Sequence, residues 1–310
     1  MILGGARSAA VTRGRPAPAF VKANLVCRRR QRRLAFQIAG DHMPELPEVE
    51  TVARALRAEV LGRSISEVCV LDPKLAHLAG SALPGKRLLR VERRGKYINC
   101  HLSDRRVLQL HLMMSGRLLL RRTSDPADRF ARVLIGLDDD RQLRFCDARR
   151  FGRAAVLSPA RYREFDAGLG PEPLGRSFSS RLLGERLVGR RVALKSALLD
   201  QRILAGVGNI YADEALFQAR ISPLRPAGSL DSPALRRLHR ALRHVLRASL
   251  ALGGTTFGIY ANAHGDEGAF QAMLRVFRRT GEPCPRCRTA IKRLLVGGRA
   301  THYCPRCQGG

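Results

Sequence analysis

Acidic residues are scarce in this chain. Across 310 residues, Asp and Glu total 26 against 56 Lys and Arg, a formal charge of +30 at pH 7. A deficit of that size leaves polyanions as the favoured partners, nucleic acid first and an anionic membrane surface second. Long apolar runs are also missing: nothing approaches the ~20 residues that a spanning helix needs, so an integral membrane protein is excluded and a soluble, cytoplasmic one expected. No internal repeat is present, which argues against a solenoid or propeller. A secreted disulfide framework is missing too, because Cys27, Cys69, Cys100 and Cys146 are scattered singly, as reduced cytosolic thiols are. Apolar content of 45% is ordinary for a globular chain, and the length suffices for two domains with real cores.

The first 42 residues stand apart. They carry nine Lys or Arg, among them Arg28, Arg29, Arg30, Arg32 and Arg33, and one acid, Asp41. With no convincing period, such a segment cannot bury enough apolar surface to order itself. It reads as a basic nucleic-acid arm, an Arg-rich targeting peptide, or sequence upstream of the true start. The third is the simplest, since Met43-Pro44-Glu45 looks like the beginning of a protein.

From Met43 the organisation becomes legible. Val52, Leu56 and Val60 mark a helix over 51–61, with Gly62 as its stop. Short strand-like runs follow at 65–71, 87–92, 97–102, 107–112, 116–120, 132–137 and 142–145, a spacing that predicts a β-sandwich or barrel. Beyond Leu169-Gly-Pro-Glu-Pro-Leu174 the texture turns helical, at 178–187, 192–199, 211–219 and 233–252. The class is therefore α+β. Expected divisions are a basic extension at 1–42, a β-sandwich domain at 43–172, a helical domain at 173–275 and a terminal module at 276–310.

That module gives the most specific spacing. Cys284-Pro-Arg-Cys287 and Cys304-Pro-Arg-Cys307 are separated by 16 residues, the pattern of a four-cysteine zinc site, with Gly297-Gly298 turning a hairpin between them. Four thiolates fill a tetrahedral sphere, so one structural Zn2+ is expected, with paired redox dithiols as the weaker alternative.

In order along the chain stand PELPEVET at 44–51, RRGKY at 93–97, HLMMSG at 111–116, DARRFG at 147–152, LGPEPL at 169–174, AGVGNIYADEALF at 205–217, GGTT at 253–256 and the cysteine knuckles. Together they resemble the formamidopyrimidine-DNA glycosylase family, bifunctional repair enzymes for oxidised purines, over everything from Met43 to about Gln308. The resemblance implies a sandwich domain with an N-terminal helix, then a helix-two-turn-helix domain ending in a zinc finger. It implies double-stranded DNA with oxidised bases or abasic sites as partner, bound by a monomer.

The resemblance also assigns roles. Pro44 is the amine nucleophile that attacks C1′, and Glu45 the acid/base carboxylate beside it. Lys96 and Arg299 contact phosphates and assist the eliminations. Met114, Arg149 and Phe151 form the wedge that fills the stack when a nucleotide is everted. Asn209, Lys195 and Glu48 complete the DNA-binding set, Glu48 in a positional role. Asn209 opens a helix after a Gly206-Val-Gly208 turn, where free N–H donors suit a phosphate. From residue type alone, Lys96 and Lys195 would be solvated lysines, Met114 and Phe151 core packing, and the Glu45/Glu48 pair a helix cap.

Departures accompany the match. Met113 stands where glycine is common, Ala148 where proline is, and GDEGAF at 265–270 lacks an aromatic found in some relatives. Pro44 N is also an amide while Met43 precedes it, so the lyase chemistry requires a chain that begins at Pro44. Two other readings remain: an endonuclease VIII-type glycosylase for oxidised pyrimidines, and a non-catalytic zinc-finger binder of damaged DNA.

Overall fold

A computed structural model describes residues 43–257 and 260–309. The basic extension expected at 1–42 lies outside the described residues.

Helix α1 (Leu46–Val60) opens the described chain. Pro47 sits in its first turn, where a missing N–H costs nothing, and the amide of Glu45 donates to Glu48 Oε2 at 2.9 Å. Val49, Val52, Ala53, Leu56 and Val60 line one face at helical spacing and are wholly buried against the sheets. Each Val or Leu of that face contributes roughly 1.5–3 kcal/mol by leaving water. Leu46, at the first turn, packs instead into the helical core. The start of α1 therefore lies in the seam between two cores.

Strands β1 (Ile65–Val70), β6 (Ala131–Leu137), β7 (Arg141–Asp147) and β5 (Gly116–Arg122) make one antiparallel sheet in that order. Strands β2 (Leu88–Arg94), β3 (Tyr97–Leu102), β4 (Val107–His111) and β8 (Arg153–Leu157) make the other. The chain passes from sheet to sheet at 112–115 and again at 148–152. The register sets these crossings side by side, since Gly116 faces Asp147 on one sheet and His111 faces Arg153 on the other. Tyr97 also faces His111, so the β2–β3 turn with Lys96 shares that end of the sandwich.

Strand β8 and the helix after it, α2 (Pro159–Ala167), escaped the sequence pattern. The helix buries no side chain completely, so it shows no apolar stripe; its signal was the Ser158-Pro159 start, where Ser158 Oγ accepts from Arg161 N.

The helical part holds α3 (Ser180–Leu187), α4 (Leu194–Leu199), α5 (Asn209–Ala219) and α6 (Ser232–Ala251). Helix α5 is buried almost all round and forms the centre of that core. Beyond it, β9 (Lys292–Val296) and β10 (Arg299–Tyr303) pair as a hairpin around Gly297-Gly298, both at positive φ. Phe217, Val276, Cys284, Ile291 and Cys304 form its small core. Among the described residues no helix is long and apolar enough to cross a membrane.

Candidate active site

Two glycines bring the sandwich and the helices together. A Cβ on Gly206, at φ +84°, would press on the Leu46 side chain, and one on Gly208 would overlap the Glu45 carboxyl. Both are bare so that the start of α1 can lie against the start of α5, where Leu46 N donates to Gly206 O at 3.0 Å.

Glu45 then points into the α5 N-terminus. Its carboxylate accepts from the amides of Gly208 (2.8 Å), Ile210 (2.9 Å) and Tyr211 (3.4 Å). This corrects one expectation: the N–H donors foreseen for a phosphate at this helix start hold Glu45 instead. Asn209 stands half-buried at the same start, with Oδ1 shielded and unpaired among the described residues. Opposing forces act on Glu45. Burial raises its pKa most, the Lys96 charge lowers it, Glu48 raises it, and two of the amides lower it, leaving it at about 7. A carboxyl there exchanges protons readily near neutrality.

Beneath it, Glu48 is 2% exposed. Its carboxylate accepts from Thr255 N at 2.7 Å, from Glu45 N, and from the Tyr211 hydroxyl. Tyr211 in turn meets Ser249 Oγ at 2.6 Å and Thr255 Oγ1 at 3.0 Å. Glu48, grouped with the DNA contacts from sequence, has its carboxylate oxygens bonded to internal donors, although the residue also lines the cavity at Pro44.

Lys195 needs the same correction. It is 0% exposed, ion-paired to Asp213 Oδ1 at 2.6 Å, and donates to Ala300 O at 2.8 Å. Its ammonium is committed inside the protein and does not face a phosphate. Asp213 Oδ2 also accepts from His302 N at 2.9 Å. The neighbouring Glu214 carboxylate accepts from the amides of Arg275, Val276 and Phe277, at 2.9 to 3.0 Å. These two acids tie the finger and its approach segment to α5, a role the sequence analysis did not assign. Acids inside the apolar run IYADEALF were the available signal, because buried carboxylates need partners.

Lys96 is half-buried, and its side chain donates no hydrogen bond among the described residues. Burial lowers its pKa, the Glu45 and Glu48 charges work against that, and Arg299 adds to it. Arg299, exposed at the start of β10, thus acts on the lysine from the finger while Glu45 acts from α1. Pro44 is buried and lines a cavity with Met114, Ile210, Thr255, Phe257 and Tyr260.

The wedge candidates sit on the two adjacent sheet crossings. Asp147, 1% exposed, joins them: Oδ1 accepts from the Ser115 hydroxyl and from Arg149 N, and Oδ2 from Gly152 N at 2.6 Å. Met114 precedes that serine and is half-buried. The Arg149 guanidinium stacks 4.9 Å from the Phe151 ring centroid, and Phe151 is 45% exposed. Met113 takes φ +52°, the conformation a glycine adopts freely. The His111 ring compensates by accepting Met113 N at 3.0 Å through Nδ1, and burial keeps that ring neutral with a pKa of about 4.

In the finger, the four Sγ atoms lie within 4.8 Å of one another, with Cys284–Cys307 at 3.9 Å and Cys287–Cys304 at 3.4 Å. A tetrahedral zinc with Zn–S near 2.3 Å sets Sγ–Sγ edges of about 3.8 Å, so the residues fit the ion. Its role there is structural.

A buried carboxyl with a pKa near neutrality in the seam of two cores, an exposed arginine–phenylalanine edge and a basic four-cysteine finger fit one class, zinc-finger proteins that act on nucleic acid. Comparison with known proteins narrows this. Family models for the formamidopyrimidine-DNA glycosylase N-terminal domain (residues 43–154), its H2TH domain (169–261) and the zinc finger found in FPG and IleRS (281–309) match in succession. The formamidopyrimidine-DNA glycosylase of Thermus thermophilus is 47% identical, covering 86% of this chain and 99% of its own. That of Symbiobacterium thermophilum is 46% identical, covering 86% and 89%. Among solved structures, the MutM (FPG) protein from Thermus thermophilus superposes with a TM-score of 0.77 at 45% identity, covering 86% of this chain and 99% of its own. A Lactococcus lactis FPG mutant in complex with Fapy-dG containing DNA gives 0.80 at 34% identity, covering 86% and 100%. The chain belongs to the formamidopyrimidine-DNA glycosylase family.

Proposed function

We propose that this protein is a base-excision repair enzyme: a DNA glycosylase and abasic-site lyase that removes oxidised purines, formamidopyrimidines and 8-oxoguanine, from duplex DNA. The placement of Glu45 carries the proposal. Glu45 follows Pro44 directly in the chain, and its carboxyl is held by the first amides of α5 and poised to exchange a proton near neutral pH.

In this reading the Pro44 nitrogen attacks C1′ of the damaged nucleoside, and the base departs with the glycosidic electron pair. Glu45 delivers a proton to the opening sugar. The secondary amine yields an iminium, an electron sink from which β-elimination expels the 3′-phosphate and δ-elimination the 5′-phosphate. Lys96 and Arg299 hold the flanking phosphates and serve these proton transfers, and Asn209 adds a phosphate contact. Met114, Arg149 and Phe151 fill the space of the everted nucleotide. The zinc held by Cys284, Cys287, Cys304 and Cys307 keeps the finger folded and takes no part in the bond changes. All these groups come from one chain, so the reading is of a monomer; its substrate places it, in this proposal, in the cytoplasm beside the nucleoid.

The nucleophile must be an amine, and the nitrogen of Pro44 is an amide in any chain that retains Met43. The family match begins at Met43, and 86% of this chain accounts for 100% of the Herpetosiphon aurantiacus relative. The active form in this proposal begins at Pro44. That form, given a duplex with a single 8-oxoguanine, should leave a one-nucleoside gap with phosphate at both ends. Release of oxidised pyrimidines in strong preference to 8-oxoguanine would overturn the substrate assignment.

A further inference from the structure

Lys96 reaches the site on a long stem, with no side-chain hydrogen bond among the described residues to hold it, so its position depends on the backbone beneath it. That backbone is the tight β2–β3 turn, Arg94-Gly95-Lys96-Tyr97, with Gly95 at φ +59°. The turn is bound from outside by the segment connecting the sandwich to the helices: Arg94 donates to Gly170 O at 2.9 Å, Leu169 O at 3.1 Å and Asp166 O at 3.2 Å, and among the described residues Glu172 alone reaches the Gly95 amide. Glu172 Oε1 accepts Gly95 N at 2.7 Å and Arg94 Nη1 at 3.2 Å, and Oε2 pairs with Arg93 Nη2 at 2.6 Å. Arg93, 8% exposed at its side chain, bonds Gly95 O at 3.0 Å and pairs with Glu50 of α1 at 3.1 Å. The same connector donates Gly170 N to Gln201 O at 2.8 Å and accepts Ala205 N on Pro171 O at 3.1 Å. Those bonds attach it to the loop whose Gly208 amide holds Glu45.

One carboxylate therefore joins three parts: the turn that carries Lys96, the connector, and through it the loop that cradles Glu45. We infer that Glu172 is a positioning residue for Lys96, fixing the turn so that the ammonium stands at the Pro44–Glu45 site. The inference rests on the assignment of Lys96 to that site. A surface ion pair would contribute little. Here the carboxylate is mostly buried, accepts a backbone amide and faces two guanidiniums, so its loss frees the Gly95 amide, which has no other acceptor among the described residues.

A double-mutant cycle tests it, using single-turnover nicking of an abasic-site duplex by the form beginning at Pro44. Lys96→Gln should slow nicking on the order of 100-fold. Glu172→Ala should slow it on the order of 10- to 100-fold through misplacement of the lysine, with duplex affinity unchanged. Glu172→Gln, which keeps an acceptor for Gly95 N but sets an amide against the arginines, should fall between and serves if the alanine variant does not fold. The double variant should be no slower than Lys96→Gln alone, because the position of a missing lysine is irrelevant. Multiplying losses in the double variant, or a Glu172→Ala rate within twofold of the parent, would overturn the inference. An unchanged rate in Lys96→Gln would instead overturn the assignment of Lys96, and the positioning role with it.

Discussion

Replacing Lys195 with methionine separates two accounts of that residue. The ammonium is fully buried between Asp213 Oδ1 and the Ala300 carbonyl. Methionine matches the stem in length but leaves the Asp213 carboxylate, also 0% exposed, without its counter-charge. Breaking a buried pair from one side costs ~3–5 kcal/mol. Asp213 keeps its bonds from His302, which favours the lower end, so about 3 kcal/mol is expected. That is a large share of the ~5–15 kcal/mol by which folded proteins exceed their unfolded state. Urea unfolding followed by circular dichroism measures it, with DNA affinity determined over a range of salt in parallel. A lysine on a phosphate would behave otherwise: stability would be intact, and the slope of log K against log salt would fall by about one unit. A loss below ~1 kcal/mol combined with that slope change would refute the buried strut and restore the sequence expectation.

Glu45, raised to about 7, acts as an acid only while protonated. Base release in single turnover should therefore fall about tenfold per unit well above that pH, and fall also at acid pH where the Pro44 amine takes up a proton; a rate still rising through pH 8 would contradict a proton donor. Asp147→Asn turns an N–H towards Gly152 N and should cost ~1–3 kcal/mol in urea unfolding. Because the two wedge crossings then loosen, excision of 8-oxoguanine should slow more than nicking at a preformed abasic site; equal slowing would separate Asp147 from eversion. Cys304→Ser should release zinc and weaken duplex binding before the sandwich unfolds, and full affinity in a zinc-free variant would show that the finger does not bind DNA.

Most of the architecture was legible because periodicity reports burial directly. Val52, Leu56 and Val60 announced α1, and short strand-like runs parted by turn residues announced seven of the strands. Helix α2 was silent for the same reason, having no buried stripe to display. The cysteine spacing carried the finger outright. At the site, residue types were legible but directions were not. Gly206-Val-Gly208 signals close backbone approach, and it does serve one, but what approaches is Glu45 and Leu46. Lys195 and Glu48 show the same limit: a charged side chain in sequence says nothing of which way it points, and both turn inward, Lys195 to Asp213 and Glu48 to Thr255 at the far end of the helical part. The loops that carry the wedge candidates could be named, whereas Asp147 as their common anchor depends on a register between strands that only the folded sheet reveals. Met113 was visible as a substitution for glycine, and its positive φ shows what the substitution has to tolerate.

The central claim is that the nitrogen of Pro44 is the nucleophile, and borohydride trapping on an 8-oxoguanine duplex addresses it directly. The form beginning at Pro44 and one retaining Met43 would be reduced side by side, and the adducts mapped by peptide mass. The account predicts a covalent complex in the first form only, with the sugar remnant on the Pro44 nitrogen. Equal trapping in both forms, or an adduct on Lys96, would contradict it.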